Sequence, residues 1–189
     1  RERDGLRHQL GLDHPQAVRR MMLLDIAPTL AMYTPTSEAF ARAYWHWLFL
    51  IQPAPLPERM IAAVGWDGVF GRLAAATGDN GRFGPRALAE YRRCFDERTI
   101  HATCEDYRAA ATIDLEHDRA DAGRKLSTPL LALWGRRGVV GKMFDCLADW
   151  QAVAEDVTGQ AIDSGHFVPE EQPEFVLEQL MAFFGDEKS

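Results

Sequence analysis

The sequence predicts an α/β fold in which a parallel sheet carries a helical insertion, and three observations predict it. Two short apolar runs, Met21-Met22-Leu23-Leu24-Asp25-Ile26 and Leu130-Leu131-Ala132-Leu133-Trp134-Gly135, have the length and bracketing of strands buried on both faces. About a hundred residues of mostly helical spacing lie between them. Beyond the second run the chain alternates helix, strand and helix, as an α/β sheet does.

Each element has a local cause. Leu6, Leu10 and Val18 give an early apolar stripe, and Pro15 disfavours helical backbone at His14, so the first helix ends or kinks there. The strand at 21–26 is closed by Ala27-Pro28-Thr29. Thr34-Pro35-Thr36-Ser37-Glu38 offers hydroxyl caps, and Phe40, Ala43, Tyr44, Trp47 and Leu48 recur at helical spacing, giving a helix to about Leu50. Three prolines in Gln52-Pro53-Ala54-Pro55-Leu56-Pro57 then stop it, because they remove donors and fix φ. Glycine and turn residues across 65–84 predict loop with a short helix. Residues 85–98, with Leu88, Tyr91 and Phe95 on one side, and 104–120 read as helices. After Thr128-Pro129 come the second strand, a helix over 142–155, a weak strand over 159–162, the Gly165-His166 turn and a closing helix over 173–184.

The expected organisation is a first portion of α/β core at 1–30, a helical cap at 31–125 and a returning core at 126–189. Three strands make a poor parallel sheet, which normally has about five or six and needs both faces covered. The chain therefore reads as the back half of a larger fold. It opens on Arg1-Glu2-Arg3-Asp4, without methionine or the apolar region of a signal peptide, as a processed chain or part of a longer one would.

At 189 residues, 47% hydrophobic and 26% charged, the composition is that of a globular domain with a real core. A net charge of −7 leaves no basic field for a phosphate backbone or an anionic membrane surface, so neither nucleic acid nor membrane is an expected partner. No apolar run approaches the ~18 residues of a spanning segment. Cys94, Cys104 and Cys146 form no CxxC pair, and an odd count suits a reducing, cytoplasmic compartment.

Asp25 and His166 both follow predicted strands, where open α/β sheets place their sites. A carboxylate that orients a histidine is half of a triad in which the histidine acts as base. Equally, strand-end aspartates cap loops and a Gly-His pair can be only a turn. In Tyr44-Trp45-His46-Trp47 the ring N–H groups of His46 and Trp47 could hold an anion in a mostly dry pocket, or the rings could simply pack the cap onto the sheet. Tyr107 offers one more hydroxyl. Asp114, Glu116, Asp118 and Asp121 around His117 match no metal-ligand spacing and read as a solvated helix face. Gly135-Arg136-Arg137-Gly138 does not match a phosphate-binding glycine loop.

Several blocks together resemble one family. Leu12-Asp13-His14-Pro15, Leu24-Asp25-Ile26, Ala41-Arg42-Ala43-Tyr44-Trp45-His46-Trp47, Gln52-Pro53-Ala54-Pro55, Asp106-Tyr107-Arg108-Ala109-Ala110-Ala111-Thr112-Ile113-Asp114 and Gly165-His166-Phe167 are similar to the haloacetate dehalogenases, in particular the fluoroacetate dehalogenase branch of the α/β-hydrolase fold. The resemblance implies a C-terminal portion of that fold with a helical cap. It also implies an aspartate that displaces halide from a small haloacid, and an ester that a histidine-activated water hydrolyses. His166 matches that histidine, Asp25 the acid that orients it, and His46, Trp47 and Tyr107 the halide pocket; no metal or organic cofactor is implied.

The chain departs from the family at the nucleophile, normally in a His-Asp-Arg-Gly-x-Arg turn. Counting back without gaps from Leu12-Asp13-His14-Pro15 puts Arg1 on the nucleophile, Glu2 on the first substrate-carboxylate arginine and Gly5 on the second. A gapped alignment promotes Asp4 instead. The expectation is a truncated dehalogenase-like hydrolase, inactive alone. Its rivals are an epoxide hydrolase, which would want a pair of cap tyrosines, and a non-catalytic remnant whose open sheet edge pairs with another chain, for instance as a homodimer.

Overall fold

Three parallel strands, β1 (Met21–Leu24), β2 (Leu130–Gly135) and β3 (Val157–Ile162), lie side by side in the order β1-β2-β3. Met21 pairs with Leu130, and Leu130 with Val157, so the three strands start level and end on the same edge. The computed structural model describes residues 4–34, 37–76 and 83–185, the side chains of 4–7 and 72–76 excepted.

β2, between two neighbours, is buried almost throughout, as its unbroken apolar run requires. β1 is not buried on both faces as expected: Met21 and Leu23 are buried, whereas Met22 and Leu24 are only half-buried. Its alternate residues feed two cores. Met21 and Leu23 join Leu130, Ala132, Val140 and Trp150 on one face, and Met22 and Leu24 pack beside Leu131, Leu133, Ile162, Val168 and Val176 on the other. β3 starts two residues before the predicted span, with Thr158 and Gln160 exposed.

Helix α1 (Asp4–Asp13) ends where Pro15 predicts, and a 3₁₀ turn over Pro15–Ala17 leads to β1. Between β1 and β2 the described elements are all helical: α2 (Thr29–Tyr33), α3 (Glu38–Ala43), α4 (Trp45–Leu50), α5 (Leu56–Ala76), α6 (Pro85–Arg93), α7 (Glu97–Ala110) and α8 (Ile113–Ala120). The Ser37 hydroxyl caps α3 by accepting the Phe40 N–H at 3.1 Å, as the cap signal predicts. The helix expected to run to Leu50 does end there, but Tyr44, at φ −110 and ψ 29, divides it.

The glycine-rich stretch from 65 is helical rather than loop over its first part. A kink at Gly65, with φ 71 and ψ 176, breaks α5 where only glycine adopts that backbone without strain. The helix expected over 104–120 instead breaks between α7 and α8, with α7 beginning at Glu97, and the helices expected over 85–98 and 142–155 are interrupted at polar caps. Asp96 accepts the Thr99 N–H at 2.7 Å and separates α6 from α7, and Asp145 accepts the Ala148 N–H at 3.2 Å and separates α9 (Val139–Met143) from α10 (Cys146–Val153). After β3 come α11 (Val168–Glu171) and α12 (Pro173–Gly185).

The acidic run at 114–121 is solvated only in part: Glu116 and His117 are exposed, whereas Asp118 and Asp121 are not. Asp118 accepts the Leu30 N–H at 3.0 Å and lies 3.7 Å from the buried His8 of α1, while Asp121 accepts from Gln9 at 3.0 Å. These carboxylates fasten the helical block to α1.

Candidate active site

The carboxyl ends of the three strands converge. β1 runs into Asp25, β2 ends at Gly135, and the turn after β3 carries Ser164, Gly165 and His166. Asp25 N–H donates to the Leu133 carbonyl at 2.8 Å as the last rung of the β1–β2 ladder, and the chain turns out of β1 at Asp25 itself, at φ 53. Aspartate tolerates this left-handed region better than most residues, and the surroundings hold it there. The next carbonyl, of Ile26, accepts the Trp150 indole N–H at 2.9 Å and lies 3.4 Å from the Cys146 thiol. Burial, with the Asp25 charge second, pushes that thiol up to about 12, so it stays a donor rather than a thiolate.

The Asp25 side chain, buried with the residue at 3% exposure, is bound through both oxygens. Oδ1 accepts the Gly135 N–H at 2.8 Å, and Oδ2 lies 2.6 Å from His166 Nδ1. With Nδ1–H donated to the carboxylate, the other ring nitrogen is left as a base. Glycine at 135 is a steric requirement: a Cβ there would stand 1.9 Å from the Gly165 carbonyl oxygen. The two catalytic candidates read from the sequence are thus in direct contact across 141 residues of chain.

His46, Trp47 and Tyr107 are also brought together. Trp47 and Tyr107 rings meet edge-on with centroids 5.6 Å apart, and His46 meets Tyr107 at 6.3 Å. Ala27, Met32, Phe40 and Tyr44 share this cluster, with Ile26 and Val139 packed against it, so it adjoins the Asp25 turn. Trp45, by contrast, is exposed. The Trp47 indole N–H is buried without a hydrogen-bond partner among the described residues, as is the Tyr33 hydroxyl. Such orphan donors are costly unless something accepts from them.

Tyr33 was not legible as a site residue. Its ring lies 5.3 Å from that of Trp47, and burial, with Asp114 second, pushes its hydroxyl up to about 12. It therefore remains a proton donor across the neutral range. The one signal in the sequence was its place eight residues after Asp25 on a short helix that the pattern did not reveal.

Arg1 and Glu2 lie outside the described residues, as does the side chain of Asp4, whose backbone opens α1. Among the described residues one group could offer three ligand atoms to a metal, Glu58, His101 and Glu105, within 4.8 Å of one another. Arg108 already supplies the positive charge there: its Nη1 donates to Glu58 at 2.9 Å and to Glu105. No helix among the described residues is long and apolar enough to cross a membrane.

No family model matches the chain. It is 38% identical over 187 residues to the fluoroacetate dehalogenase of a Burkholderia species, an alignment that takes in 96% of this chain and 60% of that protein. It is 38% identical over 104 residues, 54% of this chain and 35% of the relative, to the soluble epoxide hydrolase of Corynebacterium sp. (strain C12). A crystal structure from Nostoc sp PCC 7120, named as an α/β hydrolase, superposes with a TM-score of 0.90 at 50% identity, over 96% of this chain and 63% of that one. The chain spans less than two thirds of the length of these relatives.

Proposed function

We propose that this chain, an α/β hydrolase by its fold and its relatives, is the acid–base and leaving-group portion of an enzyme that hydrolyses the carbon–halogen bond of a small haloacid such as fluoroacetate. One juxtaposition carries the reading: the Asp25–His166 pair beside an aromatic cluster in which Trp47 presents a buried, unpartnered N–H. A halide leaving a carbon needs donors aimed at its growing charge, and Trp47, His46 and Tyr107 are three such rings. In the first step a carboxylate oxygen bonds to the α-carbon as the carbon–halogen bond breaks and halide departs. In the second, His166 takes a proton from water, the hydroxide attacks the ester carbonyl, and a 2-hydroxyacid leaves. Asp25 holds the imidazole and balances the charge it acquires. By resemblance the attacking carboxylate aligns with Arg1, so the 189-residue chain alone lacks the first step. The helical block at 31–125 is the cap in this reading.

The test is fluoride release from fluoroacetate. The 189-residue chain is expected to release none, and Asp4→Asn should change nothing; release abolished by that change would make Asp4 the nucleophile. A longer chain carrying a His-Asp-Arg-Gly-x-Arg turn is expected to release fluoride, and its His166→Asn form to retain the ester on that aspartate, read as a mass gain. An unmodified aspartate would remove His166 from the role of base.

A second reading has an observation of its own. Tyr33 and Tyr107 both touch Trp47, and two tyrosines are what protonating an epoxide oxygen would want. Turnover of a small epoxide by the longer chain, lost in Tyr33→Phe while fluoride release persists, would assign that chemistry instead.

A further inference from the structure

We infer that Glu171 is a positioning residue for His166, acting with Arg137 through the peptides on either side of the imidazole; this rests on reading Asp25 and His166 as the acid–base pair. The Glu171 side chain is 1% exposed, and a carboxylate is buried at high cost unless it is paired and hydrogen-bonded. Its Oε2 accepts the Gly165 N–H at 2.8 Å, and its own backbone N–H donates to the Phe167 carbonyl at 2.9 Å. One residue therefore grips the chain immediately before and immediately after His166. Two hydrogen bonds closing around a single residue fix the backbone from which the imidazole projects.

The grip is anchored to β2. Arg137 lies 3.3 Å from Glu171 Oε2, reaches Asp163 with its other terminal nitrogen, and donates its backbone N–H to the Ser164 carbonyl at 3.0 Å. The same segment holds the acid, since Gly135 N–H donates to Asp25 Oδ1, and a Cβ on Gly138 would stand 3.3 Å from Asp25 Oδ1 and 3.4 Å from Oδ2. Gly135-Arg136-Arg137-Gly138, which does not match a phosphate-binding glycine loop, thus ties both members of the pair to one strand end. The 2.6 Å separation of Asp25 and His166 is set from both sides by this segment, with Glu171 as its link to the histidine.

Proton NMR of the 189-residue chain reads the pair directly, because a ring N–H donated to a carboxylate resonates far downfield. Glu171→Gln keeps an acceptor oxygen and is expected to keep that line. Glu171→Met, which keeps the length and removes the acceptor, is expected to lose it and to speed exchange of the Gly165 amide about tenfold, the scale of one charge-assisted hydrogen bond. Asp25→Asn should abolish the line in any case. A line that survives Asp25→Asn would refute the pair itself. A line lost in Asp25→Asn but intact in Glu171→Met, with Gly165 exchange unchanged, would overturn the positioning role alone. Should Glu171→Met not fold, Arg137→Gln carries the test, because the Arg137 side chain is 43% exposed: a broadened line and faster Gly165 exchange support the role, and no change in either overturns it.

Discussion

At the scale of single residues, the site depends on how closely two backbones approach. Gly135 and the Gly165 carbonyl leave no room for a methyl group, so Gly135→Ala must push the His166 turn away from β2. The expected cost is about 1–3 kcal/mol of stability, the range for forcing extra atoms into a packed site, measured by urea unfolding, together with loss of the Asp25–His166 contact. Trp47→Phe keeps the ring packing and deletes one donor. In a chain that carries the nucleophile it should slow fluoride release by about 3 kcal/mol, the scale of an oxyanion-hole donor, and chloride release by less, because fluoride is the poorer leaving group. Equal losses for both halides would remove Trp47 from the leaving-group site. Asp25, His166 and the aromatic block were legible because each stands at a strand end or in a distinctive run. Tyr33 and Glu171 were not, since neither burial nor a contact across distant parts of the chain is written in local spacing.

Between elements, charge fastens what apolar spacing alone would leave loose. Arg108 of α7 donates to the Gln52 carbonyl before α5 and to Glu58 on α5, and this bond holds the Glu58 carboxyl down at about 2 against an ordinary 4.5. A carboxyl depressed in the folded state stabilises the fold fully above its unfolded value. That contribution is lost as pH falls from about 4.5 through about 2. The urea midpoint should therefore drop across that window, and Glu58→Gln should lower it near pH 7 while flattening the drop; an unchanged acid limb would place the bond outside the stability of the α5–α7 pair. Apolar periodicity located most of these helices but not their breaks. Tyr44 ends one helix and begins the next through its backbone angles, Asp96 and Asp145 cap the starts of α7 and α10 with their side chains, and such interruptions leave the hydrophobic stripe on either side intact. The strand at 130–135 was read to the residue because an apolar run between Pro129 and a glycine-arginine turn admits few alternatives.

Taken as a whole, the described residues form a three-stranded sheet with most of their helices in one excursion, and β1 and β3 are the outer strands of that sheet. On α12, Leu177, Leu180, Met181 and Phe184 recur at helical spacing and are all exposed. An apolar outer strand and an apolar helix face both favour association. Sedimentation of the 189-residue chain is expected to show assemblies that grow with concentration; a monomer at high concentration with one sharp melting transition would contradict this. That the sheet is small was foreseeable from three strand signals, whereas the size of the exposed α12 face was not, since a stripe in sequence does not say whether anything covers it. The excursion itself has a consequence for how such proteins diversify. It leaves the sheet at the carboxyl end of β1 and rejoins it at the amino end of the parallel strand β2, so to the sheet the whole helical block is one crossover connection between neighbouring strands. Doubling the length of a flexible loop adds only about 0.6 kcal/mol of closure entropy. The block could therefore be lengthened, shortened or exchanged in evolution while Asp25, Gly135 and His166 stay in place, letting leaving-group preference change independently of the acid–base chemistry.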